Sequence, residues 1–317
     1  MLTKINTIAS NIILLFFSIF LILLVIETYV RLIADDGLNL DLEMLKYANS
    51  MKVISNNKSI GIEHKKNIKK KLMGVEINLN SLGFRNNENI SDSKKKILML
   101  GDSMTFGWGA NETFSFGLEK ELKENYQVLN AGIGNTNTYM QINNFFNNFA
   151  QYDFDIIILN FFVNDFEKVK IKKANYIEKH FYSYTFIKNK IYKILIHLSL
   201  INNWESFYKD TFKNEDLINK SLDQITKLNN YCNDNNILFI INNIPELRDL
   251  KNYKFINETK IIKEHAKENN IKYINSFDIL KDHDESTLWV TKEDSHANNK
   301  AHLLISRFIK NKLFPNL

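Results

Sequence analysis

The chain has 317 residues, of which 44% are hydrophobic and 24% charged, so it has enough apolar mass for one large domain or two small ones. The net charge is +5, but the lysines come in short runs without interleaved aromatic residues, a pattern that does not favour nucleic-acid binding. Cys232 is the only cysteine, which excludes an intrachain disulfide and a thiolate metal cluster.

The first element in chain order is an uninterrupted apolar stretch from Ile8 to Ile26. As a helix, its nineteen residues would span about 28 Å, close to the ~30 Å hydrocarbon core of a bilayer. A cleaved signal peptide is the alternative, with Lys4 as its basic start, but residues 27–31 lack the small residues of a cleavage site. We therefore expect a transmembrane anchor over residues 8–28, preceded by a cytoplasmic tail of residues 1–7.

Charges that flank the apolar stretch bear on its orientation. Lys4 and the amino terminus precede it and Arg31 follows it, while the acids downstream contribute little to the positive-inside rule. We expect a single-pass membrane protein whose larger part lies on the extracytoplasmic, periplasmic side.

Residues 29–93 are weakly patterned, and we expect them to form a juxtamembrane stalk that packs on the domain that follows. A short helix is predicted over residues 38–50, an edge strand over Val75–Leu79 and a turn over residues 81–84. The lysine-rich stretch from Lys65 to Lys71 is expected to be exposed.

From Lys96 onwards, short apolar runs alternate with amphipathic stretches, and we expect residues 94–317 to form one domain. Such alternation is typical of a parallel sheet that is covered by helices on both faces. The predicted strands are 97–100, 127–130, 156–160, 238–242 and 272–274. The predicted helices are 115–124, 139–150, 217–235, 257–269 and 300–312.

Residues 167–215 interrupt this alternation with an aromatic-rich insertion, in which residues 187–201 are predicted to form an amphipathic helix. Two interpretations remain open. The insertion either adds to the core, or it forms a lid, an acyl-binding wall or a surface that rests on the membrane.

Four polar segments flank the predicted elements in a fixed order. Ser103 follows the first strand, residues 130–138 (NAGIGNTNT) follow the second, Asn164 follows the third, and Asp294–His296 precede the last helix. Because the carboxyl ends of parallel strands meet at one edge of a sheet, residues nearly 200 positions apart in the chain can converge on one crevice there.

These residue types suit acyl transfer. A serine hydroxyl needs an adjacent base to take its proton, and histidine is the side chain suited to this near neutral pH. Asp294 lies two residues before His296, so one short loop can supply the base and the carboxylate that orients it. The backbone N–H groups of Ser103 and of the second loop, with the Asn164 amide, can stabilise an oxyanion.

The four segments, taken in order, resemble those of the SGNH (GDSL-type) hydrolase superfamily, whose members are esterases, lipases, thioesterases and carbohydrate deacetylases. The resemblance covers about residues 97–314, and residues 79–85 (LNSLGFR) resemble the lead-in of membrane-anchored bacterial members. It implies a three-layer α/β/α sandwich with a parallel, flavodoxin-like five-stranded sheet, to which this chain adds one N-terminal transmembrane helix.

The resemblance also implies roles for individual residues. Ser103 matches the nucleophile, His296 the base, Asp294 its acidic partner and Asn164 the oxyanion asparagine. Phe162 stands where the family usually has glycine, and we expect it to change the pocket wall.

Two further positions depart from the family pattern. The family's oxyanion glycine lies five residues after the loop asparagine, Asn130, and this chain has Asn135 there. Because asparagine tolerates positive φ, the Asn135 N–H can serve as the oxyanion donor. The N–H of Gly134 is the alternative donor. Many members place the acid three residues before the histidine, here Glu293. Asp294 is favoured over it, because Asn298 and His302 fit the other family form, Asp-x-His-x-Asn with a later histidine.

Other polar residues near these segments have simpler interpretations. Asp102 and Asp165 are expected to hold loops by accepting backbone N–H bonds, and His302 is expected to be a packed helix residue rather than a metal ligand. The sequence contains no phosphate loop, no His-Glu-x-x-His and no dinucleotide fingerprint, so neither a cofactor nor a metal is expected.

The sequence as a whole predicts a membrane-anchored serine hydrolase that cleaves an acyl or acetyl ester of a small molecule or polysaccharide. One alternative is an O-acyltransferase or deacetylase that acts on envelope polysaccharide. Another is a non-catalytic scaffold with the same fold. The acyl chain length, the leaving group and the oligomeric state stay open.

Overall fold

The structure of the chain, a computed structural model, describes residues 2–122 and 125–316, with side chains from residue 7 onwards. Three predictions therefore fall partly outside the described residues. They are the last two residues of the helix predicted over 115–124, the side chains of residues 1–6 in the expected cytoplasmic tail, and Leu317 at the end of the domain.

Helix α1 (Leu2–Tyr29) opens the chain and continues into one π turn, Val30–Ala34. From Thr7 to Ala34 it is long and apolar enough to cross a bilayer, with a mean hydropathy of 2.8 in its most apolar window and no part of that window buried in protein. Length and composition of this kind are shared by membrane spans and signal sequences.

The next segment forms one helix and two antiparallel hairpins. They are α2 (Leu40–Ser50), β1 (Lys52–Ile54) paired with β2 (Ile62–His64), and β3 (Ile68–Leu72) paired with β4 (Val75–Leu79). The predicted helix and the strand at residues 75–79 are thus confirmed. Apolar side chains of this segment share a small core with Phe106 and Trp108, so it packs against the turn that follows Ser103.

The strands from residue 95 onwards are β5 (Lys95–Gly101), β6 (Tyr126–Asn130), β7 (Ile156–Phe162), β8 (Leu238–Ile244), β9 (Lys272–Asn275), β10 (Trp289–Thr291) and β11 (Asp294–Ala297). The helices are α3 (Ser103–Phe106), α4 (Phe114–Glu121), α5 (Thr138–Asn144), α6 (Tyr176–His180), α7 (Tyr182–His197), α8 (Trp204–Thr211), α9 (Glu215–Asp234), α10 (Ile256–Glu268), α11 (Phe277–Leu280) and α12 (Asn299–Leu313).

Strands β5 to β9 form one parallel sheet in the order β6-β5-β7-β8-β9, which is the flavodoxin-like order. All five predicted strands belong to it. Side chains of β5 alternate between two cores: Ile97 and Met99 pack with α4 and α12, whereas Leu98 and Leu100 pack with α5, α9 and α10. Burial on both faces explains the unbroken apolar runs of these strands and confirms the three-layer α/β/α architecture.

Two local predictions need correction. Helix α7 begins at Tyr182, five residues before the predicted start at residue 187, because the carboxylate of Glu27 in α1 accepts the first backbone N–H groups of the helix. The Asp294–His296 segment is not a loop but strand β11, which pairs with β10 in a short hairpin.

Candidate active site

Ser103 lies where the first strand of the sheet turns into a helix. Strand β5 ends at Gly101, and Asp102 starts α3 by accepting the Met104 N–H at 2.8 Å, which leaves Ser103 half-buried at the carboxyl edge of the sheet. The turn requires glycine at 101, since φ is +155° and a Cβ would stand 2.0 Å from the Thr105 Oγ1 atom.

Asp294 and His296 reach Ser103 from the far end of the chain. They are two residues apart on strand β11, so their side chains point to the same face. The imidazole Nδ1 atom is 2.5 Å from Asp294 Oδ1, and its Nε2 atom is 2.9 Å from the Ser103 hydroxyl oxygen. The structure therefore brings together three residues that the sequence placed in one crevice.

The second oxygen of the Asp294 carboxylate is also held. Its Oδ2 atom accepts the indole N–H of Trp108 at 3.0 Å, and the Asp294 side chain is only 1% exposed. Glu293, the alternative acid, is 68% exposed and pairs with Lys193 at 2.9 Å. The geometry thus places Asp294, and not Glu293, against the imidazole.

Charge and burial set the protonation of this pair. Burial alone would lower the pKa of His296, but the charge and hydrogen bond of Asp294 outweigh it and raise the pKa above its usual value. Burial would raise the pKa of Asp294, but His296 and the hydrogen bonds from His296 and Trp108 outweigh it and lower the pKa. The carboxylate is therefore ionised and stabilises an imidazolium.

The loop after β6 lies directly against Ser103. Its Ile133 N–H donates to the Gly101 carbonyl at 3.0 Å, and a Cβ at Gly134 would stand 3.4 Å from the Ser103 Cβ. Asn135 follows with a φ of +61°, a positive value of the kind that asparagine tolerates. Its backbone N–H finds no acceptor among the described residues, whereas that of Gly134 is already bonded to Tyr47.

Asn164 and Phe162 lie at the end of β7. Neither end of the Asn164 side-chain amide bonds another described residue, and its Oδ1 atom is buried without a partner. Phe162 is buried and packs edge-on against Tyr208 of α8, with ring centroids 6.1 Å apart. The aromatic insertion therefore supplies a neighbour of Phe162, the residue that the sequence resemblance aligns with a glycine.

The remaining polar residues have structural roles. Asp165 accepts the Phe162 N–H at 2.8 Å and the Gln141 side-chain N–H at 2.8 Å. Asp102 likewise accepts a backbone N–H, that of Met104. Burial raises the pKa of both carboxyls. His302 is buried, and its Nδ1 atom accepts the Phe114 N–H at 3.0 Å. In the described part of the chain, no cluster of His, Cys, Asp and Glu has the arrangement of a metal site.

A buried network that the sequence did not reveal holds the Gly134 peptide. Burial lowers the pKa of His64 to about 3, so its ring is neutral; Nδ1–H donates to the Gly83 carbonyl at 3.0 Å, and Nε2 accepts the Tyr47 hydroxyl at 2.6 Å. The Tyr47 oxygen is then free to accept the Gly134 N–H at 3.1 Å, while Lys52 donates to the Gly134 carbonyl at 2.5 Å. Residues of the N-terminal segment thus hold both peptide groups of Gly134: Tyr47 accepts the N–H of the first, and Lys52 donates to the carbonyl of the second, which carries the Asn135 N–H.

Glu246 and Arg248 are a second pair that the sequence reasoning missed. Glu246 is buried just past the carboxyl end of β8, accepts Arg248 Nη1 at 2.8 Å and lies 3.4 Å from the Ser295 hydroxyl. The Arg248 guanidinium lies over the Trp204 ring, 5.0 Å from its centroid. A carboxylate just after a predicted strand was the available signal, because that edge of the sheet carries the other polar segments.

Replacing Tyr47 by phenylalanine is expected to lower kcat for the ester hydrolysis that the sequence predicts roughly tenfold, since one hydrogen bond is worth about 1–1.5 kcal/mol, while KM changes little. The phenyl ring keeps the packing but leaves the Gly134 N–H without its acceptor. Steady-state kinetics well below the melting temperature measures this, with Tyr126→Phe at the amino edge of the sheet as the control. A Tyr47→Phe variant with wild-type kcat would mean that the network does not position the loop.

No protein-family model and no curated protein matches the chain. Among solved structures, the chain is similar to a member of the lipolytic protein G-D-S-L family from Veillonella parvula DSM 2008, with 16% identity, a TM-score of 0.44, and coverage of 70% of this chain and 100% of that one.

Two acetylxylan esterases are similar to the same degree. The enzyme Axe2 from Geobacillus stearothermophilus has 14% identity and a TM-score of 0.44 over 70% of this chain and 95% of its own. The enzyme AlAXEase has 13% identity and a TM-score of 0.44 over 69% of this chain and 100% of its own. Because these values are low, the fold assignment rests on the strand order of the chain itself, and the site rests on its own distances.

Proposed function

We propose that this chain is a membrane-anchored serine hydrolase that cleaves an acyl or acetyl ester, with Ser103 as nucleophile, His296 as general base and Asp294 as the orienting acid. One observation carries the proposal. The Ser103 hydroxyl, the imidazole, the Asp294 carboxylate and the Trp108 indole form a continuous chain of hydrogen bonds with spacings of 2.9, 2.5 and 3.0 Å.

The reaction follows from the protonation states of the site. The neutral imidazole takes the hydroxyl proton of Ser103 at Nε2 while the oxygen attacks the ester carbonyl carbon. The tetrahedral intermediate collapses, the C–O bond to the alcohol breaks, and the imidazolium returns the proton to the leaving oxygen. Water then attacks the acyl-enzyme with the same base, which releases the acid and restores Ser103.

The oxyanion of this intermediate needs donors that are in place before the reaction. We assign this role to the backbone N–H groups of Ser103 and Asn135 and to the side-chain amide of Asn164. Two observations support the assignment over one that uses Gly134: its N–H is engaged by Tyr47, whereas the Asn135 N–H has no acceptor among the described residues.

A fluorophosphonate probe tests the proposal directly, because only an activated serine reacts with it at neutral pH. We expect one covalent adduct on the full-length protein, located on Ser103 by peptide mass spectrometry. The His296→Ala variant should label far more slowly. A wild-type protein that takes up no probe, or takes it up on another serine, would overturn the proposed function.

A further inference from the structure

Helix α7 carries an apolar stripe that faces outward. Its members recur at spacings of three and four residues and are all exposed: Tyr184, Ile187, Ile191 and Ile194 in the helix, and Leu198 directly after it. A helix of a globular domain turns such a face towards the core. A contiguous exposed apolar surface of this kind indicates a binding partner.

The stripe borders a cleft beside the N-terminal helix. Helices α6 and α7, residues 176–197, form an arm beside the last turns of α1, and the cleft between the arm and α1 has a volume of about 670 Å³. Its lining is almost wholly apolar and comes from both sides, with Phe20, Leu23 and Leu24 from α1 and Phe181, Ile187 and Ile191 from the arm.

Polar contacts fix the arm to α1 at one end of the cleft. The Glu27 carboxylate accepts the backbone N–H groups of Tyr182 at 3.1 Å and Ser183 at 2.9 Å, and it also accepts the Arg31 guanidinium at 2.6 Å. Arg31 in turn donates to the His180 carbonyl at 2.6 Å. Because the Glu27 and Arg31 charges are paired with each other and hydrogen-bonded to the backbone, both groups can lie in the low-dielectric region at the edge of a membrane.

The shared cleft fixes the depth of the arm. Residues 8–26 are the stretch expected in hydrocarbon, so the α1 side chains that line the cleft lie within the layer, near its boundary. Residues of the arm that line the same cleft lie at the same depth. We propose that the arm is embedded in the hydrocarbon layer beside α1 and that acyl chains of membrane lipids fill the cleft, an inference that rests on the membrane anchoring of the proposed function.

Two lysines indicate the charge of these lipids. Lys188 and Lys190 lie along the Tyr184 and Phe186 rings, at 6.0 and 5.4 Å from the ring centroids, and neither is ion-paired within the described residues. Their stems can cover apolar surface while their ammonium groups reach the interface. Anionic phospholipids are therefore the lipids that this arm suits.

The arm also connects the membrane to the candidate active site. Lys193 of α7 pairs with Glu293, the residue that precedes Asp294 on the strand carrying His296. A bilayer that holds the arm consequently lies close to the crevice of Ser103, and an ester presented at the membrane surface reaches it over a short path.

Contact quenching in nanodiscs tests the embedding without using activity. Cysteines introduced one at a time at Ile191 in the cleft, at Leu14 in α1 and at Leu238, the first residue of β8, are labelled with a bimane, since all three native side chains are exposed. The native Cys232 is buried, and burial raises its pKa to about 12, so the unsubstituted chain serves as the labelling blank. The nanodiscs contain phosphatidylcholine and phosphatidylglycerol with or without acyl-chain nitroxide lipids.

We expect quenching at position 191 that is several-fold stronger than at position 238 and weaker than at position 14, which lies deeper in the layer. Quenching at position 14 with none at position 191 would overturn the embedding of the arm but leave the membrane anchor intact. The apolar stripe would then be a binding surface for another protein. The absence of quenching at both positions would remove the anchor and this inference together. Equal quenching at 238 would indicate adsorption of the whole domain and would also contradict it.

Discussion

The Ser103→Ala variant is expected to lose ester hydrolysis by about 10⁴-fold or more in kcat, because in the proposed mechanism the Ser103 oxygen forms the acyl-enzyme. The Ser103 hydroxyl is hydrogen-bonded to His296 Nε2 at 2.9 Å in the crevice, an arrangement that suits it to act as the nucleophile. The loss should appear in kcat and not in KM, since binding of the ester does not need the nucleophile. Initial rates on p-nitrophenyl acetate and butyrate with the full-length, detergent-solubilised protein measure it.

Ser93→Ala is the matched control for this variant. Ser93 is exposed and lies just before the amino end of β5, whereas Ser103 lies just after its carboxyl end. The same substitution at Ser93 should therefore leave the rate unchanged. The account is contradicted if Ser103→Ala retains wild-type turnover.

The Asp294→Asn variant is expected to lose about 10⁴-fold in kcat, equal to about 5 kcal/mol of transition-state stabilisation. An asparagine amide keeps the size of the carboxylate but cannot stabilise the imidazolium, and it permits the wrong imidazole tautomer. Glu293→Gln is the matched control. It removes the neighbouring acid, which is 68% exposed and bonded to Lys193, and should change kcat little. The reverse ranking of the two variants would assign the orienting role to Glu293.

The pH profile gives a second test of the same pair. The pKa of His296 is raised above 6.5 in the folded chain, and only the neutral imidazole acts as base, so kcat/KM should rise with pH through a midpoint above 6.5. Removing the Asp294 charge leaves burial as the dominant influence, which lowers the pKa. The residual activity of Asp294→Asn should therefore rise through a midpoint at lower pH, and a midpoint that moves upwards would contradict this origin of the shift.

The central sheet could be predicted because its strands are buried on both faces. Burial of this kind produces uninterrupted apolar runs, such as Ile97–Leu100, which stand out from the amphipathic helices between them. The edge of the sheet that carries the polar residues followed from the parallel arrangement. Because Ser103 and Asn164 follow predicted strands and His296 precedes the last helix, the sequence predicted that these three residues share one crevice.

The contacts that complete the candidate site were not predictable, because they join segments whose packing has no local signature. Tyr47 reaches Gly134 across 87 positions of the chain, and Trp108 reaches Asp294 across 186. A buried indole or phenol needs a hydrogen-bond partner, but the sequence does not say which one. The start of α7 at Tyr182 escaped prediction for the same reason, since its first N–H groups are held by Glu27 of another helix.

A crystal structure of the full-length protein after reaction with diethyl p-nitrophenyl phosphate tests the central claim most directly. The account predicts phosphorus bonded to the Ser103 oxygen, with one phosphoryl oxygen within hydrogen-bonding distance of the Asn135 N–H and the Asn164 amide, and His296 Nε2 beside the ester oxygen. Phosphorus on another residue, or a phosphoryl oxygen that points away from residues 135 and 164, would contradict it.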